Sequence, residues 1–126
     1  MVSFDQFHPA EGMPIYLQIL YFIKRGAVAG TIADGEELPS RRVLSALLGI
    51  NPNTVQKAFR MLEEETLIES RSGAKSYMTL DEEKLARLRQ ELLAEDIRGI
   101  TRALRQMGIS RAEALELISE SWEETV

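Results

Sequence analysis

Cysteine is absent from the 126 residues, and histidine occurs once, as His8. The first absence excludes disulfides, thiol chemistry and zinc sites built on Cys, and it suits a reducing compartment. The second leaves no nucleophile–base pair to propose. His8 lies in an N-terminal segment, MVSFDQFHPAEG, that reads as a flexible arm, where an imidazole is ordinary surface. Long apolar runs are missing as well. Nothing approaches the roughly 18 residues of a membrane span, and no basic segment followed by an apolar core marks a secretory signal. A soluble cytoplasmic chain without enzyme chemistry is expected, needing no cofactor, no metal and no membrane. The carboxylate runs Glu63-Glu64-Glu65 and Glu123-Glu124 do not change this, because adjacent acids on a helix point in different directions and read as solvated surface.

A uniform positive charge is also lacking: the formal net charge is -5. Its distribution says more than its sum. Residues 1–80 hold 8 Lys/Arg against 9 Asp/Glu, whereas residues 81–126 hold 7 against 11. Between Leu38 and Leu62 stand Arg41, Arg42, Lys57 and Arg60 with no carboxylate, a local positive footprint in an acidic whole. The length allows one small module plus an extension.

Apolar periodicity places the elements. Ile15, Ile19, Ile23 and Ala27 recur at intervals of four behind Pro14, so a first helix is predicted from about Pro14 to Ala29, tolerating Gly26 and stopping at Gly30. A loop then runs through Asp34-Gly35 to Leu38-Pro39. Ser40 is a good N-cap, and Val43, Leu44, Leu47 and Leu48 form the stripe of a short second helix that stops at Gly49. Asn51 caps a third, with Pro52 at its first position and Val55, Ala58, Phe59 and Leu62 on one face. Two helices joined by a three-residue turn containing Gly make a helix-turn-helix. Residues 67–71 and 76–80 flank Ser72-Gly73-Ala74-Lys75, which reads as a β-hairpin wing. Asp81 caps a long fourth helix carrying Leu85, Leu88, Leu92, Leu93, Ile97, Ile100, Leu104 and Met107. After Gly108, Ser110 and Glu113 form a capping box for a last helix bearing Ala114, Leu115, Ile118 and Trp122.

The fold class expected is mainly α with a small β-wing: a winged helix-turn-helix over residues 1–80, followed by a two-helix dimerisation element over residues 81–126. Opposite its apolar stripe the third helix presents Asn53, Thr54, Gln56, Lys57 and Arg60. Amides and hydroxyls can read base edges and cations can hold phosphates, and the second helix of such a motif enters the major groove. Arg41 and Arg42 on the second helix, and Arg71, Gly73 and Lys75 on the wing, complete the candidate DNA-binding set. The same face also fits a solvated helix surface or a protein-binding winged helix.

The segments PIYLQI from Pro14, LPSRRVL from Leu38, NPNTVQKAF from Asn51 and Leu67-Ile68 resemble, in order and spacing, the signature of the GntR family of bacterial transcription regulators. The NPNTVQKA run and the short two-helix C-terminus resemble its YtrA subfamily. The resemblance implies that Arg42 of the Leu-Pro-Ser-x-Arg motif and Thr54 meet phosphates, that Asn53 and Gln56 occupy base-reading positions, and that Gly73 approaches the minor groove. It implies a double-stranded DNA operator as partner, repression by operator occupancy and genes for ABC transporters as targets. Thr66 stands where a Gly is usual before Leu67, and would be strained if left-handed backbone is needed there. Members with an aminotransferase-like domain are much longer, and no effector-binding domain is recognisable in the compact C-terminus.

A helix of about 25 residues with an apolar stripe is not stable alone in water, so it must pack on its own chain or on a second one. The resemblance favours a homodimer, with Leu92, Ile100, Leu104, Leu115, Ile118 and Trp122 as candidate interface residues. A near-palindromic operator would follow from the two-fold symmetry. The reading from another class is an adaptor whose winged helix binds protein and has no duplex affinity.

Overall fold

The computed structural model describes residues 1–71, 73 and 75–124. Its elements run α1 (Ile15–Ala29), β1 (Glu37–Leu38), α2 (Arg41–Leu48), α3 (Pro52–Glu64), β2 (Ile68–Ser70), β3 (Ser76–Met78), α4 (Glu82–Gln106) and α5 (Arg111–Glu124). The chain divides into two units, Met1–Arg89 and Gln90–Val126.

The first unit is built around α1 and α3. The stripe of α1 buries Ile19, Ile23 and Ala27, and that of α3 buries Val55, Ala58, Phe59 and Leu62. Leu38, Leu44 and Met78 close the same core. Removing side chains of this size from water contributes roughly 1.5–3 kcal/mol each. Leu88 from the first turns of α4 is buried in this unit too. The Asp81 carboxylate caps α4 by accepting from the Lys84 N–H at 2.8 Å, as its position before Glu82 and Glu83 predicts.

Four features correct or complete the sequence-based expectation. The N-terminal segment is a docked strap. Val2, Phe4 and Phe7 are buried, the Phe4 ring stacks on Phe22 at 5.1 Å between centroids, Phe7 meets Phe22 edge-on at 5.4 Å, and the Val2 N–H donates to the Glu37 carbonyl at 2.8 Å. Gln18 fastens its end by donating to the carbonyls of Ala10 and Met13. His8, on this strap, is exposed. Second, the loop before Pro39 contains β1, which pairs antiparallel with β3 in the register Glu37↔Tyr77 and Leu38↔Ser76. The sheet is therefore three-stranded, ordered β1-β3-β2. A two-residue strand leaves no alternation to read in a sequence.

Third, the stripe of α2 is only half covered. Leu44 is buried, but Val43 and Leu47 remain 55% and 64% exposed, and Ser45 is buried in their place. Fourth, Thr66 does adopt a left-handed backbone, at φ 60°. Its strain is held by neighbours: the Thr66 carbonyl accepts from Thr79 Oγ1 at 2.9 Å and from Lys84 Nζ at 2.7 Å.

In the second unit the rest of α4 is followed by Met107-Gly108-Ile109 and then α5, whose N-terminus is capped when Ser110 Oγ accepts from the Glu113 N–H at 3.2 Å. Ile100 and Leu104 from α4 and Ala114, Leu117, Ile118 and Trp122 from α5 line an open apolar groove of about 600 Å³.

Candidate nucleic-acid interface

The turn between α2 and α3 is fixed by local bonds. Gly49 ends α2 in a left-handed conformation, at φ 66°, that a side chain would oppose. The Ile50 N–H donates to the Ser45 carbonyl at 3.1 Å, and Ser45 Oγ donates back to the Ile50 carbonyl at 2.6 Å. Asn51 Oδ1 then accepts from the Asn53 N–H at 2.8 Å, and Pro52 opens α3. Ser45 was not among the sequence-predicted site residues; its only signal is a hydroxyl amid the leucines of a two-turn helix.

With its apolar stripe against the core, α3 turns Asn53, Lys57 and Arg60 outward at i, i+4 and i+7, all exposed. Thr54 and Gln56 lie half-buried at the two margins of this face. It carries no carboxylate before Glu64. Lys57 is not a loose cation: its ammonium sits 3.9 Å from the centroid of the Tyr16 ring, so the first turn of α1 steadies a charge on α3. Tyr16 carries no sequence signal for this role, since the pairing joins residues 41 positions apart.

The two arginines that open α2 diverge. Arg42 is exposed and has no ion pair among the described residues. Arg41 turns inward. Its Nη2 lies 2.9 Å from Glu63 Oε1 and its guanidinium carbon 5.2 Å from the centre of the Phe59 ring, while its Nε is buried without a hydrogen-bond partner. The same Glu63 oxygen accepts from Ser70 Oγ at 3.1 Å, so one carboxylate joins α2, α3 and β2. Arg41 therefore leaves the set of free cations and joins the scaffold that sets wing against helix.

The wing is closed by the Arg71 N–H donating to the Lys75 carbonyl at 2.9 Å, with Gly73 exposed at φ 78°. Ser72 and Ala74, which sequence reading placed at this tip, lie outside the described residues. Arg71 is paired: its Nη2 is 2.7 Å from Glu69 Oε1, and its guanidinium lies 4.4 Å from the centre of the Tyr77 ring. That ion pair is half exposed, and pairs of this kind contribute only about 0–1 kcal/mol, so a phosphate can displace Glu69. Lys75 is exposed.

Residues 15–78 match the family model of bacterial regulatory proteins, gntR family. The chain belongs to the GntR family. Among curated relatives of this GntR-family chain, the HTH-type transcriptional repressor YtrA of Bacillus subtilis is 37% identical over 93 residues, spanning 69% of this chain and 72% of that protein. The HTH-type transcriptional regulator YhcF of the same bacterium is 30% identical over 112 residues, spanning 89% and 91%. A solved GntR family transcriptional regulator from Listeria monocytogenes superposes with a TM-score of 0.78 at 28% identity, covering 89% of this chain and 98% of that one. This GntR-family chain is thus a DNA-binding transcriptional regulator with a winged helix-turn-helix, and its relatives are regulators rather than enzymes. Among the described residues no helix is long and apolar enough to cross a membrane, and no group of His, Asp or Glu is placed to hold a metal ion.

The expected dimerisation residues of this regulator divide. Ile100, Leu115, Ile118 and Trp122 are exposed and Leu104 is half-buried. Leu92, at 6% exposure, is already covered in the single chain and offers a partner little area.

Proposed function

We propose that the chain is a sequence-specific repressor that occupies a near-palindromic operator as a homodimer in the bacterial cytoplasm. The observation that carries the reading is the outward face of α3: amides and cations, free of acid as far as Arg60, on a helix whose opposite face and entry angle are fixed by the core and by the Ser45–Ile50 and Asn51 bonds. Asn53 and Gln56 read base edges, while Arg42, Thr54, Lys57 and Arg60 hold phosphates. Repression is supported by the likeness to YtrA, named a transcriptional repressor. The resemblance to the YtrA subfamily, whose members often accompany ABC-transporter genes, supports an operator beside such genes.

Titration of the protein with a generic duplex at two salt concentrations tests the core of this reading. Binding should weaken steeply with salt, because each neutralised phosphate releases counterions. Selection from random duplexes should then return a two-fold symmetric site, and Asn53→Ala or Gln56→Ala should relax preference there at one base pair per half-site, at a cost of about 1–3 kcal/mol. A folded chain with no duplex affinity would sink the reading, and would leave the exposed Val43 and Leu47 of α2 as the apolar patch of a protein-binding adaptor.

A further inference from the structure

Charge in the second unit is sorted along the chain. From Ile97 to Ala112 stand Arg98, Arg102, Arg105 and Arg111 with no carboxylate; from Glu113 to Glu124 stand five glutamates with no cation. Arg98, Arg102 and Arg105 recur at i, i+4 and i+7 and, with Ile97, Thr101 and Gln106, line an open groove of about 490 Å³. The acids nearest to them along α4 are Glu95 and Asp96, yet none of the three arginines has an ion pair among the described residues. Neither do Glu116, Glu120 or Glu123 on α5.

The order of side chains around each helix gives these charges a direction. At roughly 100° per residue, Ile97, Thr101, Arg105 and Arg98 follow one another around α4, passing from apolar to positive. Around α5 the sequence is Trp122, Leu115, Ser119, Glu123 and Glu116, passing from apolar to negative. The apolar ends of both edges are among the most open side chains of the unit: Ile97, Leu115 and Trp122 are 60%, 59% and 77% exposed.

We propose that the arginine-edged groove of α4 receives α5 of a second copy of this chain, with Ile97 against the partner's Leu115 and Trp122 and with Arg98 and Arg105 against the partner's Glu116 and Glu123. The proposal rests on the homodimer reading and specifies its surface. A two-fold axis makes the pairing reciprocal, so both grooves and both acidic helices are satisfied at once. Guanidinium and carboxylate match in geometry as well as charge. Duplex DNA or a small anion could meet the arginines, but either would leave the acidic helix and Trp122 uncovered, and the five glutamates would repel a polyanion. The apolar seam supplies affinity, and the charges select partner and register.

Sedimentation of the full chain tests this directly. Self-association of the wild type should weaken as salt rises, the reverse of what a purely apolar seam would show. Arg98→Glu with Arg105→Glu in one chain, or Glu116→Arg with Glu123→Arg in another, should each weaken self-association about tenfold or more, by setting like charges opposite each other across two equivalent seams. Mixing the two variants should restore a heterodimer near wild-type strength, with Trp122, the sole tryptophan, becoming shielded from a fluorescence quencher. Arg and Glu have similar helix propensity, so both variants keep α4 and α5, which far-ultraviolet circular dichroism verifies. If both variants self-associate like the wild type, and their mixture shows no preference, the charge pairing is overturned while the homodimer stands. A wild-type chain that is monomeric at every concentration would overturn the homodimer reading and the pairing with it.

Discussion

Thr66 shows how a single unfavourable residue is tolerated. A β-branched side chain at φ 60° is strained by its Cβ, and the structure answers with bonds to its carbonyl from Thr79 and Lys84, which glycine would keep. Thr66→Gly should therefore raise stability by about 0.5–1 kcal/mol, seen as a higher urea midpoint at unchanged slope. A lower midpoint would mean that the bond from Thr66 Oγ1 to the Glu65 carbonyl outweighs the strain. Tyr16 is the second residue whose part is set by one neighbour. If its ring holds Lys57 ready for phosphate, Tyr16→Phe should leave duplex affinity nearly unchanged, whereas Tyr16→Leu should weaken all duplexes alike by about 0.5–1 kcal/mol. The loss should vanish in a Lys57→Gln background; additive losses would show that Tyr16 acts through packing alone.

At the scale of elements, the helices depend on contacts that propensity does not contain. Gly26 lies inside α1, where Ala would be the better helix former by about 1 kcal/mol. A Cβ there would stand 2.5 Å from Ile32 Cδ1 and 2.9 Å from its Cγ1, and Ile32 is buried. Gly26→Ala should accordingly destabilise the protein, by about 1–3 kcal/mol; a raised melting temperature would show that Ile32 moves aside freely. The start of α2 offers a contrast between neighbours. Arg42→Ala should weaken specific and non-specific binding together and lower the salt slope by about one unit. Arg41→Ala should instead lower the melting temperature, because it unties Glu63 from α2, and should leave the salt slope unaltered in the folded protein. A reversed pattern would exchange their roles.

For the molecule as a whole, the division at residue 89 matters more than the end of the wing. The first turns of α4 belong to the DNA-binding unit: Leu88 is buried there, Lys84 bonds to Thr66 and Thr79, and the Leu80 N–H donates to Asp34 Oδ1 at 2.8 Å. A chain ending after Arg89 should stay folded, sediment as a monomer and lose operator affinity by about tenfold or more, having lost the second half-site. A chain ending after Leu80 should melt at a clearly lower temperature. Equal operator affinity in the full-length and Arg89-terminated proteins would remove dimerisation from the mechanism.

The sequence by itself determined the five helices, the hairpin and the helix-turn-helix. Ser40, Asn51 and Asp81 act on N–H groups two or three residues away, and Val55, Ala58, Phe59 and Leu62 share a face by helical geometry alone. It also marked the polar face of α3, because the side opposite a buried stripe follows from the same period. Only the tertiary structure decided which cations stay free. Four stood between Leu38 and Leu62 on equal terms, yet Arg41 is drawn to Glu63 across 22 positions and Lys57 to Tyr16 across 41. The docking of the N-terminal strap on Phe22, the short β1 and the exposure of Val43 and Leu47 are of the same kind. Each depends on side chains brought together by the packing of α1, α2, α3 and the sheet, and a contact between residues far apart in the chain leaves no period in the sequence to be read.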